Sequence, residues 1–216
     1  WLAAGSMQRV ATALGGTPMS LYHYGGSRDE LLAIMVDDAI GEPESSPTTP
    51  GWRAGLTQWA ATLAERRLRH PWSVEVLPAR PPLTPHQIGW TELGLEILES
   101  TGLSTEERLS VLLAVDGWSQ QHVRQCVAMG LVGVPAAGSP PDLYAQHVAE
   151  LIDPERFPQL ALSFGGGAPP GGDYHAHEFE RGITLLLDGV EAMVARHGLR
   201  TVTVGDIGAS SEAAAQ

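Results

Sequence analysis

Apolar residues along this chain recur mostly at three- and four-residue steps, the period of helices that bury one side. Near the start, Ser6 can cap a helix carrying Val10, Ala11 and Leu14 on one face, and Gly15-Gly16 end it. Thr17 then caps, and Pro18 opens, a helix about two turns long with Leu21 turned inward. Ser27 followed by Glu30 is a capping box for a helix over 29–40, with Leu31, Leu32, Met35 and Val36 on its apolar face. Three prolines in 41–51 forbid a continuous helix and mark a connector.

Beyond the connector, Leu56, Trp59, Ala60 and Leu63 predict a helix over 52–70, and the proline-rich stretch 71–85 reads as broken. A helix from Thr84-Pro85 to Thr101, with Ile88, Leu95 and Leu98 on one side, stops at Gly102. Ser104 and Glu107 form a second capping box, opening the longest helix, 104–130, with Leu109, Leu112, Leu113, Val115, Val123 and Val127 apolar. Helices are expected over 142–152 and 154–163, the latter capped by Asp153, and a loop over 165–172. The last helix, 173–197, carries Phe179, Ile183, Leu186, Leu187, Val190, Met193 and Val194. Residues 199–216 have no large side chain after Ile207 and read as a frayed tail. No stretch reads as a strand. The class is all-α, with an N-terminal head at 1–41 and a larger helical body at 52–198.

Helix, tight turn and short helix rich in hydroxyls and aromatics is the layout of a helix-turn-helix, whose second helix lies in the major groove of DNA. An ordinary helical corner has the same topology. Charge favours the first reading: residues 1–28 contain Arg9 and Arg28 and no acid, whereas 29–216 carry 11 Arg against 25 Asp plus Glu. Thr17, Met19, Ser20, Tyr22, His23 and Tyr24 are then the candidates to reach base edges. Arg9 and Arg28 would hold phosphates, which fixes register without reading sequence.

The runs Met7-Gln-Arg-Val-Ala-Thr-Ala-Leu-Gly, Met19-Ser-Leu-Tyr and Ser27-Arg-Asp-Glu-Leu-Leu, in that order, resemble the DNA-binding head of the TetR family of bacterial transcriptional repressors. They cover about the first 40 residues. The resemblance implies an all-helical body that binds a small molecule and dimerises, its last two long helices (here 104–130 and 173–197) forming a four-helix interface with a second copy. It also implies a further helix ahead of the turn motif. The chain opens at Trp1 with no room for that helix, so an N-terminal segment is expected to be missing from it. Gly25-Gly26 stands where the family has valine and then a polar residue or proline, which bears on where the recognition helix ends.

A net charge of −12 argues against nonspecific coating of nucleic acid but not against a local cationic contact surface. Every basic residue is arginine. The lone cysteine, Cys126, permits no internal disulfide and reads as core filling in a reducing cytosol, with a redox sensor the alternative. No stretch approaches the ~20 apolar residues of a membrane span, and no signal peptide is visible. A cytoplasmic protein is expected.

Five of the six tryptophans fall in the body. Any one of them serves as core, yet Trp90 and Trp118 lie near polar residues including His122, as in a helical pocket for a small apolar or aromatic molecule. These three are the candidate ligand contacts. The extra apolar positions Leu185, Leu187 and Met193 on the last helix suggest burial on two sides, against the body and a second copy, or a central place in one body. Enzyme-like patterns fail. His177-Glu-Phe-Glu-Arg181 has arginine where a zinc ligand must stand. Gly117-Trp-Ser-Gln-Gln121 lacks the second glycine of a nucleophile elbow, and a chain without lysine has no Walker loop. No cofactor or metal is called for.

The sequence therefore reads as a homodimeric, ligand-responsive repressor that binds double-stranded operator DNA and releases it when a small molecule binds. The rival is an all-helical small-molecule-binding protein or enzyme whose N-terminal corner is merely structural. An activator would use the same contacts as a repressor.

Overall fold

The computed structural model describes residues 7–17, 19–20, 23, 26–44, 50–76, 84–132, 150–164 and 173–212. Seven α-helices are traced through them: α1 (Met7–Ala13), α2 (Arg28–Ile40), α3 (Trp52–Arg69), α4 (Pro85–Ile97), α5 (Thr105–Ala128), α6 (Pro158–Phe164) and α7 (Asp173–Glu212). Short 3-10 turns follow α3 (Pro71–Glu75) and α4 (Glu99–Thr101). Among the described residues there is no strand. No described helix is long and apolar enough to cross a membrane.

Both predicted capping boxes form. Ser27 N–H donates to Glu30 Oε2 at 2.6 Å while Glu30 N–H donates to Ser27 Oγ at 3.2 Å. Ser104 and Glu107 repeat the exchange at 2.9 and 3.2 Å. Each box satisfies two amide donors that the first helical turn leaves without partners. Gly15 and Gly102 end their elements at φ +72°, a conformation that L side chains rarely adopt.

α5 lies at the centre of the body, packed by α3, α4, α7 and the 3-10 turn after α3. Val115 of α5 is fully buried against Leu56, Leu98, Ile183 and Leu187, and Ile40 of α2 joins the same core, while Val123 packs with Ala64 and Val74. Two glycines set how close the helices come. A Cβ on Gly94 would stand 2.5 Å from Leu112 Cδ2, and one on Gly182 would stand 2.1 Å from the Trp118 ring.

The structure corrects several expectations. Thr84 makes no capping bond to α4; its place is taken by Asp37 of α2, whose two oxygens accept from His86 N–H (3.2 Å) and Gln87 N–H (3.1 Å). A buried carboxylate has two acceptors and a charge that suits a helix N-terminus, so it prevails over a hydroxyl. α4 buries Trp90 and Gly94, and Ile88 points outward at 55% exposure. α6 begins at Pro158, because the Asp153 carboxylate caps only a local turn through Glu155 N–H (2.9 Å). The expected helix over 142–152 lies largely outside the described residues, as does the loop over 165–172. The tail expected to fray from 199 is helical to Glu212. No proline interrupts 173–212, and a glycine inside a helix costs only about 1 kcal/mol.

Glu107 also ties α5 to α7, accepting a hydrogen bond from His197 Nε2 at 2.9 Å. That bond, with those from the Ser104 amide and hydroxyl, holds the Glu107 carboxyl down from 4.5 to about 2. A depressed carboxylate adds stability above its unfolded pKa and loses it as pH falls toward the folded one. Between pH 4.5 and 2 the wild type is therefore expected to lose stability more steeply than Glu107→Gln, as read from urea midpoints measured across that range.

Candidate functional site

A cavity of about 610 Å³ opens between α2, α3, α4, α5 and the 3-10 turn after α3. Ala33 and Val36 of α2 form one wall and Trp59, Leu63 and Arg67 of α3 another. Ser73, Val74 and Val76 follow from the turn; α4 supplies Gln87, Trp90 and Thr91. From α5 come Leu109, Leu112, Leu113, Asp116 and Gln120, at the three- and four-residue steps of a single helix face. The size and the mainly apolar lining with a few polar groups are those of a small-molecule site. Leu109 and Leu113, two of the apolar positions of the long helix, are 44% and 76% exposed and line the cavity.

Of the three expected ligand contacts, the structure brings only Trp90 to this cavity. Trp118 and His122 lie on another face of α5, toward α7. Trp118 Nε1 donates to the Phe179 carbonyl at 3.2 Å, and the His122 ring stands 5.1 Å from that of Phe179. Two residues along a helix are about 200° round its axis, so Trp118 cannot share the face of Asp116 and Gln120. His122 Nε2 is 3.6 Å from Cys126 Sγ, and burial pushes that thiol's pKa up, which fits core filling.

Sequence reasoning missed Arg67, Ser73 and Asp116. Arg67 continues the buried stripe Leu56, Ala60, Leu63, and Asp116 follows Leu112 by one turn; a charge on an apolar stripe was the available signal. Arg67 Nη2 lies 2.7 Å from Asp116 Oδ1, with the Arg67 side chain 7% exposed.

The cavity is joined directly to the end of α2. Trp90 Nε1 donates to the Gly41 carbonyl at 2.8 Å, and Trp59 Nε1 donates to the Trp90 carbonyl at 2.9 Å. Arg66 Nη1 reaches the Ile40 and Glu42 carbonyls at 2.6 and 2.7 Å, its guanidinium 5.0 Å from the Trp90 ring centroid. With Asp37 capping α4, the last turn of α2 is held by α3 and α4, two of the helices that line the cavity.

In the head, Met7 and Ala11 of α1 are buried, and Gly15 reverses the chain. Thr17 Oγ1 accepts from Ser20 N–H at 3.2 Å and meets Ser20 Oγ at 2.9 Å, the exchange of a helix N-cap. Met19, Ser20 and His23 are helical and exposed, and Arg9 and Arg28 lie exposed on α1 and at the start of α2. Tyr22 and Tyr24 lie outside the described residues.

The family model "Tetracyclin repressor-like, C-terminal domain" matches residues 44–194, which hold every wall of the cavity except α2. The chain belongs to the TetR family. The HTH-type transcriptional repressor DrrR1 of Streptomyces coeruleorubidus is 30% identical over 201 residues, covering 88% of this chain and 71% of that protein. An HTH-type transcriptional regulator of Saccharopolyspora erythraea is 28% identical over 189 residues, covering 87% and 76%. The crystal structure of the Streptomyces coelicolor TetR family protein ActR in complex with actinorhodin matches with a TM-score of 0.73 at 24% identity, covering 89% of this chain and 90% of that one. At that identity the likeness is one of fold. As a TetR-family member the protein is a helix-turn-helix transcriptional regulator and not an enzyme. The rival reading, with a merely structural N-terminal corner, falls away.

Proposed function

We propose that the protein is a homodimeric repressor that leaves its operator when a small apolar or aromatic molecule enters the cavity. One observation carries this reading: α2 begins at the head's capping box and lines the cavity with Ala33 and Val36. A molecule pressing on that wall, or drawing Trp90 inward, displaces the helix that carries the head. To move occupancy of the DNA-competent form from 99:1 to 1:99, the effector must favour the other form by about 5.5 kcal/mol. That ActR, of related fold, is found in complex with actinorhodin supports a small-molecule effector.

Thr17, Met19, Ser20, Tyr22, His23 and Tyr24 are proposed to approach base edges, with Arg9 and Arg28 on phosphates. Two heads then address half-sites roughly 34–36 Å apart or a multiple of that. For the dimer, α7 offers Leu185 at 74% exposure, while Ile183, Leu187 and Val190 pack into the protein's own core. α5 keeps an exposed stripe at Ser110, Ala114, Gly117, Gln121 and Gln125, so both helices have a face free for the interface.

The test is retention of duplex fragments from the DNA flanking its own gene by the protein expressed from the whole gene, with salt varied. Tight, salt-sensitive binding of one fragment, weakened at least about tenfold by Tyr22→Ala, is the expected result. No preference for any fragment at low salt overturns the reading. A crystal pair with equal head separation in effector-bound and DNA-bound states overturns the release mechanism.

A further inference from the structure

The end of α2 is closed by two side chains that arrive from different helices. Arg66 Nη1 of α3 donates to the carbonyls of Ile40 and Glu42 at 2.6 and 2.7 Å, and Trp90 Nε1 of α4 donates to the carbonyl between them, Gly41, at 2.8 Å. Three consecutive carbonyls are thus satisfied from outside the helix, at the end where no further turn supplies donors. α2 has no basic residue in its own last turn, so Arg66 also brings the cation that this end of the helix dipole favours. The fit is close. Gly41 turns at φ +66°, and a Cβ there would stand 3.1 Å from Arg66 Nη1. Beyond it, a Cβ on Gly89 of α4 would stand 3.3 Å from the Pro43 ring.

Arg66 in turn leans on Trp90. Its side chain is mostly buried, and its guanidinium carbon lies 5.0 Å from the centroid of the Trp90 ring, whose π face replaces part of the lost hydration. Its outer contact, to the exposed Glu44 carboxylate at 3.4 Å, holds it only weakly. Trp90 lines the cavity and Arg66 stands behind that wall. We infer that Arg66 is the positioning residue that carries a movement of Trp90 to the DNA-binding head. When Trp90 shifts, the Gly41 bond and the surface steadying the guanidinium are lost together, so all three carbonyls are released at once. α2 has 13 residues and is about 20 Å long, so a tilt set at Ile40 swings its first turn, where the head begins.

The inference rests on the protein being a repressor with its effector site in the cavity. It is tested on the full chain, with the flanking fragment that the wild type retains, by Arg66→Met, Trp90→Phe and the double variant. Met keeps a stem and removes the cation; Phe keeps a ring and removes the Nε1 donor. Urea unfolding gives the folded fraction of each, and operator affinity is expressed per folded molecule. Each single substitution is expected to weaken operator binding about tenfold. The double variant is expected to fall no more than about twofold below the weaker single, since two changes to one linkage do not add. Unchanged or tighter operator binding in either single variant overturns the inference and leaves the clamp a structural one. A double variant whose loss is the product of the single losses also overturns it, because Arg66 and Trp90 then act separately. Retention of no fragment by the wild type overturns the repressor reading itself, and the inference with it. If Arg66→Met does not fold, Arg66→Gln, which also removes the cation, takes its place in the same comparison.

Discussion

Asp37→Ala is expected to destabilise the protein by about 2–3 kcal/mol, measured as a fall in the urea midpoint. Its carboxylate is nearly buried and accepts from two amides at the start of α4. Loss of a cap costs ~1–2 kcal/mol, and a buried N–H left without a partner adds ~1–3 kcal/mol. Water entering the gap recovers part of the second cost, which places the sum below the simple total. Asp37→Asn keeps one acceptor and is expected to lose about half as much. Because the lost bonds join α2 to α4, the substitution is also expected to weaken operator retention beyond what the fall in folded fraction explains. Equal operator binding per folded molecule in Asp37→Ala and wild type would show that the cap is structural only.

Gly182→Ala provides a contest between two effects of opposite sign. Inside a helix, alanine is favoured over glycine by up to ~1 kcal/mol. Here the new methyl falls 2.1 Å from Trp118 Cε2 and Cζ2, an overlap that a rigid indole cannot relieve by bending. Trp118 must rotate, giving up its 3.2 Å bond to the Phe179 carbonyl and much of its packing on α7. Overpacking costs typically 1–3 kcal/mol and the lost bond about 1 more, so a net loss of about 2–3 kcal/mol is expected. Trp118→Leu in the same chain removes the obstacle and is expected to recover more than half of that loss in thermal denaturation. A Gly182→Ala variant as stable as wild type would mean that α5 and α7 pack less closely than described.

Much of this architecture was legible because its signals are local. Ser27 with Glu30 and Ser104 with Glu107 declare helix starts within four residues, and Gly15 and Gly102 declare ends through backbone sterics. The stripe Leu56, Trp59, Ala60, Leu63 gives α3 its inward face by period alone. What escaped was long-range. Asp37 capping α4 across 49 residues leaves no trace in the neighbourhood of Thr84, where a hydroxyl and a proline imitate a self-sufficient start. In the cavity, chemistry alone favours Trp118 and His122, but helical rotation puts them on another face and brings Arg67 and Asp116 to the wall. Tertiary position, which no single-sequence period encodes, separates the two sets.

Trp59 and Trp90 stand with ring centroids 6.2 Å apart at 70°, each fixed by its own indole N–H bond, and both face the cavity. The transition dipoles of rings that close couple through space, so the pair contributes to circular dichroism jointly rather than as two separate chromophores. Their joint optical activity depends on the angle between them far more steeply than on their separate surroundings. The pair thus serves as a built-in goniometer for the cavity wall. A small rotation of Trp90, the residue that grips the end of the helix leading to the head, is written into the ultraviolet spectrum without any label.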